Sequence, residues 1–279
     1  MIKVENLYFQ YKKSDDYALK EIDLDIVQGD FLGVVGKSGA GKSTLTFALN
    51  GMIPHYFEGD FYGTVKIDGL DTVSVDLEDL SRVVGSIFQD IYGQMVMSIV
   101  EDEILFGLEN FNFSREEITN RLEESLNLLG ISNLRHRAIS SLSGGQKQKV
   151  IICAILALKP KVLVLDEPTA ELDPQSSRQV FEILKELNEK FKITIIVVEQ
   201  KTDLICEFAK NLLILEKGKI VCHSDLKNVL LTNDIFEKVG IGTPPIVALA
   251  SRLSELSIYS GEVPVTVDKA EELVRRIIS

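Results

Sequence analysis

Eight residues, Gly36 to Ser43, constrain the fold of this chain more than any other segment. They read Gly-Lys-Ser-Gly-Ala-Gly-Lys-Ser and fit the phosphate-binding loop pattern G-x-x-x-x-G-K-[ST]. An apolar run at 31–35 precedes them as a buried strand would, and residues 44–50 follow as a helix. This arrangement places a helix N-terminus beneath an anion, which argues against the alternative of a glycine-rich turn without a ligand. The sequence therefore predicts a nucleoside triphosphate site.

The backbone of this loop and two of its side chains are the predicted ligands of the phosphates and the metal. Backbone N–H groups surround the phosphate oxygens, the Lys42 ammonium reaches the β- and γ-phosphates, and the Ser43 hydroxyl binds Mg²⁺. The predicted nucleotide-binding residues of this segment are Gly36, Lys37, Ser38, Gly39, Ala40, Gly41, Lys42, Ser43 and Thr44.

The composition limits the classes of protein to which this chain can belong. With 279 residues and 45% hydrophobic content, it can bury the core of one large domain or of a domain with an appendix. Its longest uninterrupted apolar runs, such as 150–158, are far shorter than the roughly 20 residues that span a bilayer. A net charge of −12 argues against a broad nucleic-acid-binding surface. No secretory signal pattern opens the chain, and three cysteines without metal spacing indicate reduced thiols in a cytoplasm.

The order of apolar patterns predicts an α/β fold. Alternating segments at 2–10, 19–27 and 64–67 predict an antiparallel β subdomain near the phosphate loop. Further strands alternate with helices, as in a parallel sheet covered on both faces. The strands are predicted at 83–88, 161–166, 193–198 and 212–215, and the helices include 114–129 and 174–190. From about residue 224 the pattern changes to short helices, so we expect a main domain at 1–223 and a C-terminal extension at 224–279.

An acidic pair, Asp166 and Glu167, follows the apolar residues of the strand predicted at 161–166. Sheets of α/β proteins place their ligands at the carboxyl ends of the strands. Asp166 is suited to hold Mg²⁺ through water, and Glu167 to polarise a water molecule in line with the γ-phosphate. Acidic pairs usually lie on solvated surfaces, but the apolar residues before this pair argue against such a location.

A second predicted anion site lies at Leu142 to Gln146, Leu-Ser-Gly-Gly-Gln, which opens another helix. The Ser143 hydroxyl and the unpaired N–H groups of a helix N-terminus are suited to bind phosphate oxygens. The alternative is a simple helix cap, and Ser143 could serve as both.

With these motifs in this order, residues 1–223 resemble the ATPase subunits of ATP-binding-cassette (ABC) transporters, to which the segment 142–146 is specific. The resemblance implies an α/β P-loop ATPase with a mainly parallel sheet, an antiparallel β subdomain, a helical signature subdomain and a small C-terminal extension. It implies ATP and Mg²⁺ as cofactors and two ATPase domains associated head to tail. The residues that then complete the ATP site of the partner are Ser143, Gly144, Gly145 and Gln146.

Three further residues take predicted roles from the same resemblance. Tyr11 aligns with the aromatic residue that stacks on adenine, and Gln89 with the glutamine that contacts Mg²⁺ and senses the membrane partner. Asp173 aligns with the loop that crosses the dimer interface. Each has a plainer alternative, namely a core tyrosine, a solvated amide and a helix N-cap.

A finer resemblance is to the ATPases of energy-coupling-factor importers, which take up vitamins and metal ions. It rests on residues 50–55, 98–110, 242–245 and 265–268. It implies a membrane coupling subunit, a substrate-binding membrane subunit, a peripheral location at the cytoplasmic face of the cell membrane, and a C-terminal extension that helps to pair the ATPases. Residues 90–94 depart from the family's Asn-Pro-Asp-x-Gln pattern in the loop that contacts the coupling subunit.

The switch histidine of the family is replaced by Gln200 in this chain. None of the histidines lies nearby in sequence; they are His55, His136 and His223. An amide donates a hydrogen bond to a γ-phosphate oxygen, but it carries no positive charge and relays no proton. Losing one charge-assisted contact in the transition state costs about 2–4 kcal/mol. We therefore expect a site that binds ATP and hydrolyses it slowly, as in a heterodimer of unequal sites, although the sequence leaves a homodimer open.

Three alternatives to transport differ in what else their sequences would contain. Soluble ABC ATPases of DNA repair or chromosome structure usually carry long coiled-coil or zinc insertions between these motifs, and a translation factor of this superfamily carries two cassettes. A non-catalytic nucleotide-binding regulator is favoured by Gln200 and disfavoured by the intact Glu167. The resemblance to importer ATPases also implies that specificity resides in separate membrane subunits, so this sequence does not identify the imported solute.

Overall fold

In a computed structural model, which describes residues 1–231 and 235–278, helices pack against two β-sheets. The strands are β1 (Ile2–Tyr11), β2 (Leu19–Ile26), β3 (Phe31–Val35), β4 (Gly59–Ile67), β5 (Leu70–Asp71), β6 (Val84–Ile87), β7 (Val162–Asp166), β8 (Thr194–Val198), β9 (Asn211–Glu216) and β10 (Lys219–Asp225). The helices are α1 (Lys42–Leu49), α2 (Met52–His55), α3 (Leu77–Ser81), α4 (Ile91–Gln94), α5 (Val100–Asn110), α6 (Arg115–Leu128), α7 (Gly144–Ala157), α8 (Pro174–Phe191), α9 (Thr202–Phe208), α10 (Leu226–Leu231), α11 (Ile235–Lys238), α12 (Pro245–Glu255) and α13 (Val267–Ile278).

The two sheets differ in how their strands are paired. The four-stranded sheet has the order β2-β1-β4-β5 and is antiparallel. The six-stranded sheet has the order β10-β9-β3-β8-β7-β6 and is parallel except for β10. The predicted fold class is therefore confirmed: a P-loop ATPase fold of mainly parallel α/β architecture with an antiparallel β subdomain.

Apolar periodicity explains where each sheet buries its side chains. In β1 and β2 the buried positions alternate with exposed ones, as expected of strands with one face on a core. All five residues of β3, of β7 and of β8 are buried, because both faces of the parallel sheet are covered. One face packs against the antiparallel sheet and α1, and the other against α5, α6, α7 and α8. The carboxyl ends of the central strands thus become the place where polar loops meet.

The apolar patterns of the sequence do not predict the hairpin strand β10. It joins β9 through a two-residue turn, Lys217-Gly218, in which both residues have positive φ (50° and 79°). Asn-Gly or Asp-Gly would have signalled such a turn, whereas lysine at the first position did not. Because β10 lies at the edge of the sheet, its alternate residues are only partly buried, and its apolar signal is weak.

The residues after β10 form helices that pack on the main core. Leu226, Leu230, Phe236 and Val247 are buried in the same apolar cluster as the helices α5 to α8. The predicted domain boundary at 223/224 stays a prediction. Within the described residues, no helix combines the length and the apolar character needed to cross a bilayer.

Candidate nucleotide and hydrolysis site

The phosphate loop leaves the buried strand β3 and enters α1 in a space that only glycine fits at two positions. A Cβ atom on Gly36 would lie 2.4 Å from the carbonyl oxygen of Leu215. A Cβ atom on Gly41, which has a φ of 101°, would lie 2.6 Å from the carbonyl oxygen of Ala18. The loop is thus packed against neighbouring backbone, and the first turn of α1 follows it directly, which directs its N–H groups toward a bound anion.

Lys42 is the first residue of α1 and is 7% exposed. Its ammonium donates hydrogen bonds to the carbonyl oxygens of Gly36 (2.8 Å) and Lys37 (3.1 Å), so the side chain lies across the loop. An ammonium has three hydrogens, which leaves one for a phosphate oxygen. The charge of Lys42 therefore lies inside the loop, and its contact with the β- and γ-phosphates stays a prediction.

The burial and the unpartnered oxygen of Asp166 fit its predicted role as a ligand of Mg²⁺. The residue is 5% exposed, and its Oδ1 atom is buried with no hydrogen-bond partner among the described residues. Burial raises the pKa of the Asp166 carboxyl group, and a hydrogen bond with Ser43 opposes that rise. Ser43, Gln89 and Asp166 line one cavity of about 530 Å³. An unpartnered carboxylate oxygen beside a hydroxyl and an amide oxygen is a donor set suited to Mg²⁺.

Replacing Asp166 by asparagine is expected to raise the thermal midpoint without Mg²⁺ at pH 7.5 by about 2–4 °C, the shift that ~1 kcal/mol produces in a chain of this size. The native pKa of Asp166 lies above its unfolded value, so the folded state binds more protons and stability falls as pH rises through that window. The gain from Asp166→Asn should therefore shrink toward pH 4. Calorimetry across pH 4–8 measures it.

A matched control for this prediction is Asp173→Asn. Hydrogen bonds from Ser176 lower the pKa of Asp173, so its ionised form contributes stability above the unfolded pKa, and that stability is lost as pH falls. This variant is expected to lower the thermal midpoint at pH 7.5. A lower midpoint for Asp166→Asn at that pH would contradict the assignment of a buried carboxylate with one unpartnered oxygen.

Glu167 is held by two amides that come from the strands on either side of its own. Gln89 Nε2 donates to Glu167 Oε2 at 3.3 Å, and Gln200 Nε2 donates to Glu167 Oε1 at 2.7 Å. Both glutamines follow strands, β6 and β8, that pair directly with β7. The strand order thus brings the three predicted residues together, although 78 and 33 positions of sequence separate them.

Gln200 has the geometry of an orienting residue without the acid–base chemistry of histidine. Its amide N–H group fixes the Oε1 atom of Glu167, while Gln89 contacts the Oε2 atom. The histidines bond elsewhere: His55 to the carbonyl oxygen of Thr72 (2.8 Å) and His136 to Glu101 (2.9 Å), while His223 lies in β10. Among the described residues, therefore, no imidazole is hydrogen-bonded to Glu167.

Tyr11 stands at the end of β1, beside the start of α1. Its hydroxyl group lies 3.1 Å from the Thr44 hydroxyl, and its ring meets Phe9 and Phe57 edge to face, with centroids 4.8 and 6.3 Å apart. The ring is half-buried, and burial raises the pKa of its phenol. The ring is thus packed against two aromatic side chains next to the phosphate loop, and its predicted stacking on adenine stays a prediction.

The signature residues lie at the N-terminus of α7. Ser143 Oγ accepts from the N–H group of Gln146 (3.3 Å), and Gln146 Oε1 accepts from the N–H group of Ser143 (3.0 Å), which is a complete capping box. Ser143 is exposed and keeps its own O–H group for another acceptor. Within the described ranges, no hydrogen bond joins these residues to the phosphate loop of the same chain. The helix-cap explanation of Ser143 therefore holds, and the action of these residues on the ATP site of a partner stays a prediction.

Asp173 is the N-cap of α8, as the plainer interpretation of this residue requires. Its Oδ1 atom accepts from the N–H group of Ser176 (2.9 Å), and its Oδ2 atom accepts from the Ser176 hydroxyl (2.6 Å). The side chain is exposed, so the cap does not exclude contact with a second subunit.

Glu103 is a buried residue of this region that the sequence analysis missed. It is 7% exposed, and its Oε2 atom accepts from the N–H groups of Val96 (3.0 Å) and Met97 (2.7 Å). It thereby ties α5 to the segment that follows Gln89. In the sequence it is one of three acidic residues in the first turn of a helix, a pattern typical of solvated residues, so only the tertiary contact distinguishes it.

Comparison with known proteins agrees with this geometry. Residues 19–170 match the model of the ABC transporter family. Over 275 residues, 99% of this chain and 96% of the relative, the chain is 38% identical to a Pyrococcus horikoshii protein that has the provisional name ABC transporter ATP-binding protein.

Two solved structures extend the comparison to the fold. CbiO1 of Clostridium perfringens, described as part of the ABC transporter complex CbiONQ, is similar with a TM-score of 0.76 and 30% identity over 90% of this chain and 98% of that chain. The dimeric cassette MJ0796, in a post-hydrolysis state with ADP and phosphate, has a TM-score of 0.69 and 27% identity over 81% and 99%. The resemblance to ABC ATPases is thus confirmed, and CbiO1 supports closeness to the energy-coupling-factor type. This chain belongs to the ABC transporter family as an ATP-binding subunit.

Proposed function

We propose that this chain hydrolyses ATP to energise an energy-coupling-factor-type importer of a vitamin or metal ion, at the cytoplasmic face of the cell membrane. It would act with a second ABC ATPase, a membrane coupling subunit and a substrate-binding membrane subunit, with residues 224–279 as a dimerisation element. In support, CbiO1 is described as part of a CbiONQ complex.

The observation that carries this proposal is the segment after β6, which reaches from Glu167 to the surface within a few residues. Gln89 contacts Glu167 at 3.3 Å, whereas Tyr92 and Val96 are 50% and 63% exposed. Tyr92 and Val96 are large side chains that lie only a few residues after Gln89 and are largely exposed. Such side chains are suited to contact a hydrophobic partner subunit. Movement of the partner at Tyr92 and Val96 would move Gln89, and thereby the environment of Glu167.

The same segment also touches the signature helix. The Lys147 ammonium lies 4.4 Å from the centroid of the Tyr92 ring, a cation–π contact between α7 and α4. A partner seated on Tyr92 would thus act on both the hydrolytic site and the signature segment. This double contact favours a transport ATPase over a soluble ABC ATPase, because a soluble ATPase has no membrane subunit with which to couple hydrolysis.

The proposed residue roles follow from the positions described above. Glu167 accepts a proton from the attacking water, Gln89 and Gln200 orient its carboxylate, and Lys42 holds the γ-phosphate. When bound, Mg²⁺ would neutralise charge on the β- and γ-phosphates, held by Ser43, Gln89 and Asp166. Tyr11 and the loop residues 36–44 bind ATP. The residues proposed to act across a dimer are Ser143, Gly144, Gly145, Gln146 and Asp173.

A second candidate function is a catalytically weakened subunit in a heterodimer. The specific observation is the amide of Gln200, 2.7 Å from Glu167, where a histidine could carry charge. Here the chain would bind ATP at its own loop and hydrolyse it slowly, while its signature segment completes a faster site on the partner.

The importer proposal is tested by purifying the tagged chain from detergent-solubilised membranes of its source and reconstituting the complex in liposomes. We expect an integral membrane protein to co-purify and ATP to drive accumulation of one of a panel of labelled vitamins and of Co²⁺ and Ni²⁺. Val96→Asp should abolish uptake and leave the ATP affinity of the isolated chain unchanged, because residue 96 is exposed and outside the phosphate loop. Association with ribosomes or DNA, with no uptake, would instead support a soluble ABC ATPase.

A further inference from the structure

The two residues that flank Gln200 hold the loop that connects Glu167 to Asp173. Glu199 is 2% exposed, and its Oε2 atom accepts from the Thr169 hydroxyl at 2.6 Å. Its Oε1 atom accepts from the N–H groups of Gln200 (2.8 Å) and Lys201 (3.3 Å), which fixes the backbone on which Gln200 stands. One buried carboxylate therefore joins the switch segment to the start of this loop.

Lys201 joins the same segment to the end of the loop. Its ammonium donates to the carbonyl oxygens of Thr169 (2.8 Å) and Leu172 (3.1 Å) and lies 2.8 Å from the Ser177 hydroxyl in α8. All three ammonium hydrogens are thus used. Each of these partners is neutral, so the lysine forms no ion pair here and instead fixes the path of a loop. That path passes between Glu167 and Asp173.

The far side of this loop packs against the signature helix. A Cβ atom on Gly144 would lie 3.3 Å from Leu172 Cδ2, and one on Gly145 would lie 3.1 Å from Ser176 Oγ. The first residue of α7 therefore rests on the loop that Lys201 holds, and the second rests on the start of α8, where Lys201 bonds the Ser177 hydroxyl. A contiguous chain of contacts runs from Gln200 through Lys201 and Leu172 to Gly144.

We propose that Lys201 is a positioning residue that transmits the state of this chain's own phosphate site to the signature segment that completes the partner's site. When Gln200 turns toward a γ-phosphate, Lys201 moves with it and pulls the carbonyl groups of Thr169 and Leu172. Gly144 follows because it rests on Leu172. This inference rests on the head-to-tail dimer of the proposed function and adds the direction of coupling between its two sites.

The test uses mixed dimers isolated with two affinity tags. One subunit is this chain carrying Glu167→Gln, and the other is an ATPase subunit with an intact acidic residue, either a second copy or the co-expressed partner. Turnover then comes from the intact subunit, whose site borrows the signature segment of the Glu167→Gln chain. Adding Lys201→Met to the Glu167→Gln chain is expected to lower kcat about tenfold in trans, the rate effect of ~1.4 kcal/mol, with KM unchanged.

Controls separate positioning from a loss of folding. Lys185→Met removes one charge from the exposed side of α8 and is expected to leave kcat unchanged. The affinity of the isolated Lys201→Met chain for MgATP should stay within about twofold of the wild type, because its phosphate loop is intact. Thr169→Val keeps the shape of the side chain and removes only the donor to Glu199, so it should lower kcat in the same direction, by less. It decides the matter if Lys201→Met does not fold.

The outcomes that would overturn this inference are distinct from failure of the proposed function. A kcat for the Lys201→Met and Thr169→Val dimers within about twofold of the Glu167→Gln dimer would show that Lys201 carries no coupling. A raised Kd for MgATP in the isolated chain, in proportion to the loss of kcat, would show a local defect instead. If light scattering finds no dimer with MgATP, the head-to-tail arrangement is wrong, and the coupling is wrong with it.

Discussion

Replacing Glu167 by glutamine is expected to lower ATP turnover at this chain's own site by at least about a hundredfold, the usual contribution of a positioned general base. The substitution keeps the size of the side chain, but it removes the ability to accept a proton and replaces one of two acceptor oxygens by an amide donor. Its contacts with Gln89 and Gln200, at 3.3 and 2.7 Å, would then join amides only. Steady-state phosphate release by the purified dimer measures the effect.

The affinity for MgATP separates a hydrolytic role from a binding role. Because Lys42 and the loop amides hold the phosphates, the Kd of Glu167→Gln for MgATP should remain within about threefold of the wild type. Glu189→Gln, which removes the same charge from the exposed face of α8, serves as the matched control and should not change turnover. If Glu167→Gln retains more than about a tenth of the wild-type rate, Glu167 is not the general base.

Replacing Gln200 by histidine is expected to raise turnover by roughly 30-fold or more, because an imidazole restores a contact worth about 2–4 kcal/mol in the transition state. The Gln200 amide already lies 2.7 Å from Glu167, so the position is suited to a donor and needs only a group that can bear charge. The variant should also gain a pH dependence near the pKa of histidine, about 6.5, that the wild type lacks. Turnover between pH 5.5 and 8.5 measures both effects.

Removing the amide of Gln200 altogether tests whether this amide orients Glu167. Gln200→Ala leaves Glu167 with one amide donor instead of two and is expected to lower turnover by about the value of one hydrogen bond, three- to tenfold. If Gln200→His leaves the rate unchanged while Gln200→Ala lowers it, the amide substitutes adequately for histidine. A homodimer of two equal sites would then be the simpler account, and the weakened-subunit candidate would be wrong.

Local sequence patterns predict the structure correctly where it depends on residues that are neighbours along the chain. The glycines of the phosphate loop, the apolar runs of β3, β7 and β8, and the capping residues Ser114, Ser143 and Asp173 all act within a few residues of their own position. Strand bounds differ from the prediction mainly where a strand is partly exposed. Thus β4 begins at Gly59 instead of residue 64, since its first half has few buried side chains.

Contacts between distant segments were beyond such patterns. The segment after α11 lies beside the phosphate loop, because the Lys37 side chain rests against Gly240, and the Thr202 hydroxyl donates to the carbonyl oxygen of Gly242 at 2.8 Å. In the sequence, Glu103 and Lys201 likewise resemble ordinary surface charges. In the fold, the charged groups of both form hydrogen bonds with backbone groups. Periodicity reports only whether a side chain is buried, and it does not identify the backbone group that a charged side chain will contact.

The sequence by itself determined the phosphate chemistry of this protein: a loop that requires glycine, a lysine and a serine beside it, and two carboxylates after a buried strand. It also determined the departure at Gln200. The tertiary structure decided which residues surround Glu167 and which hold the signature helix. The physical reason is that β6 and β8 both pair with β7 in the sheet, although 78 and 33 positions of sequence separate Gln89 and Gln200 from Glu167. Pairing of these strands brings Gln89 and Gln200 to one carboxylate, and it places Lys201 against the loop that leads to Asp173.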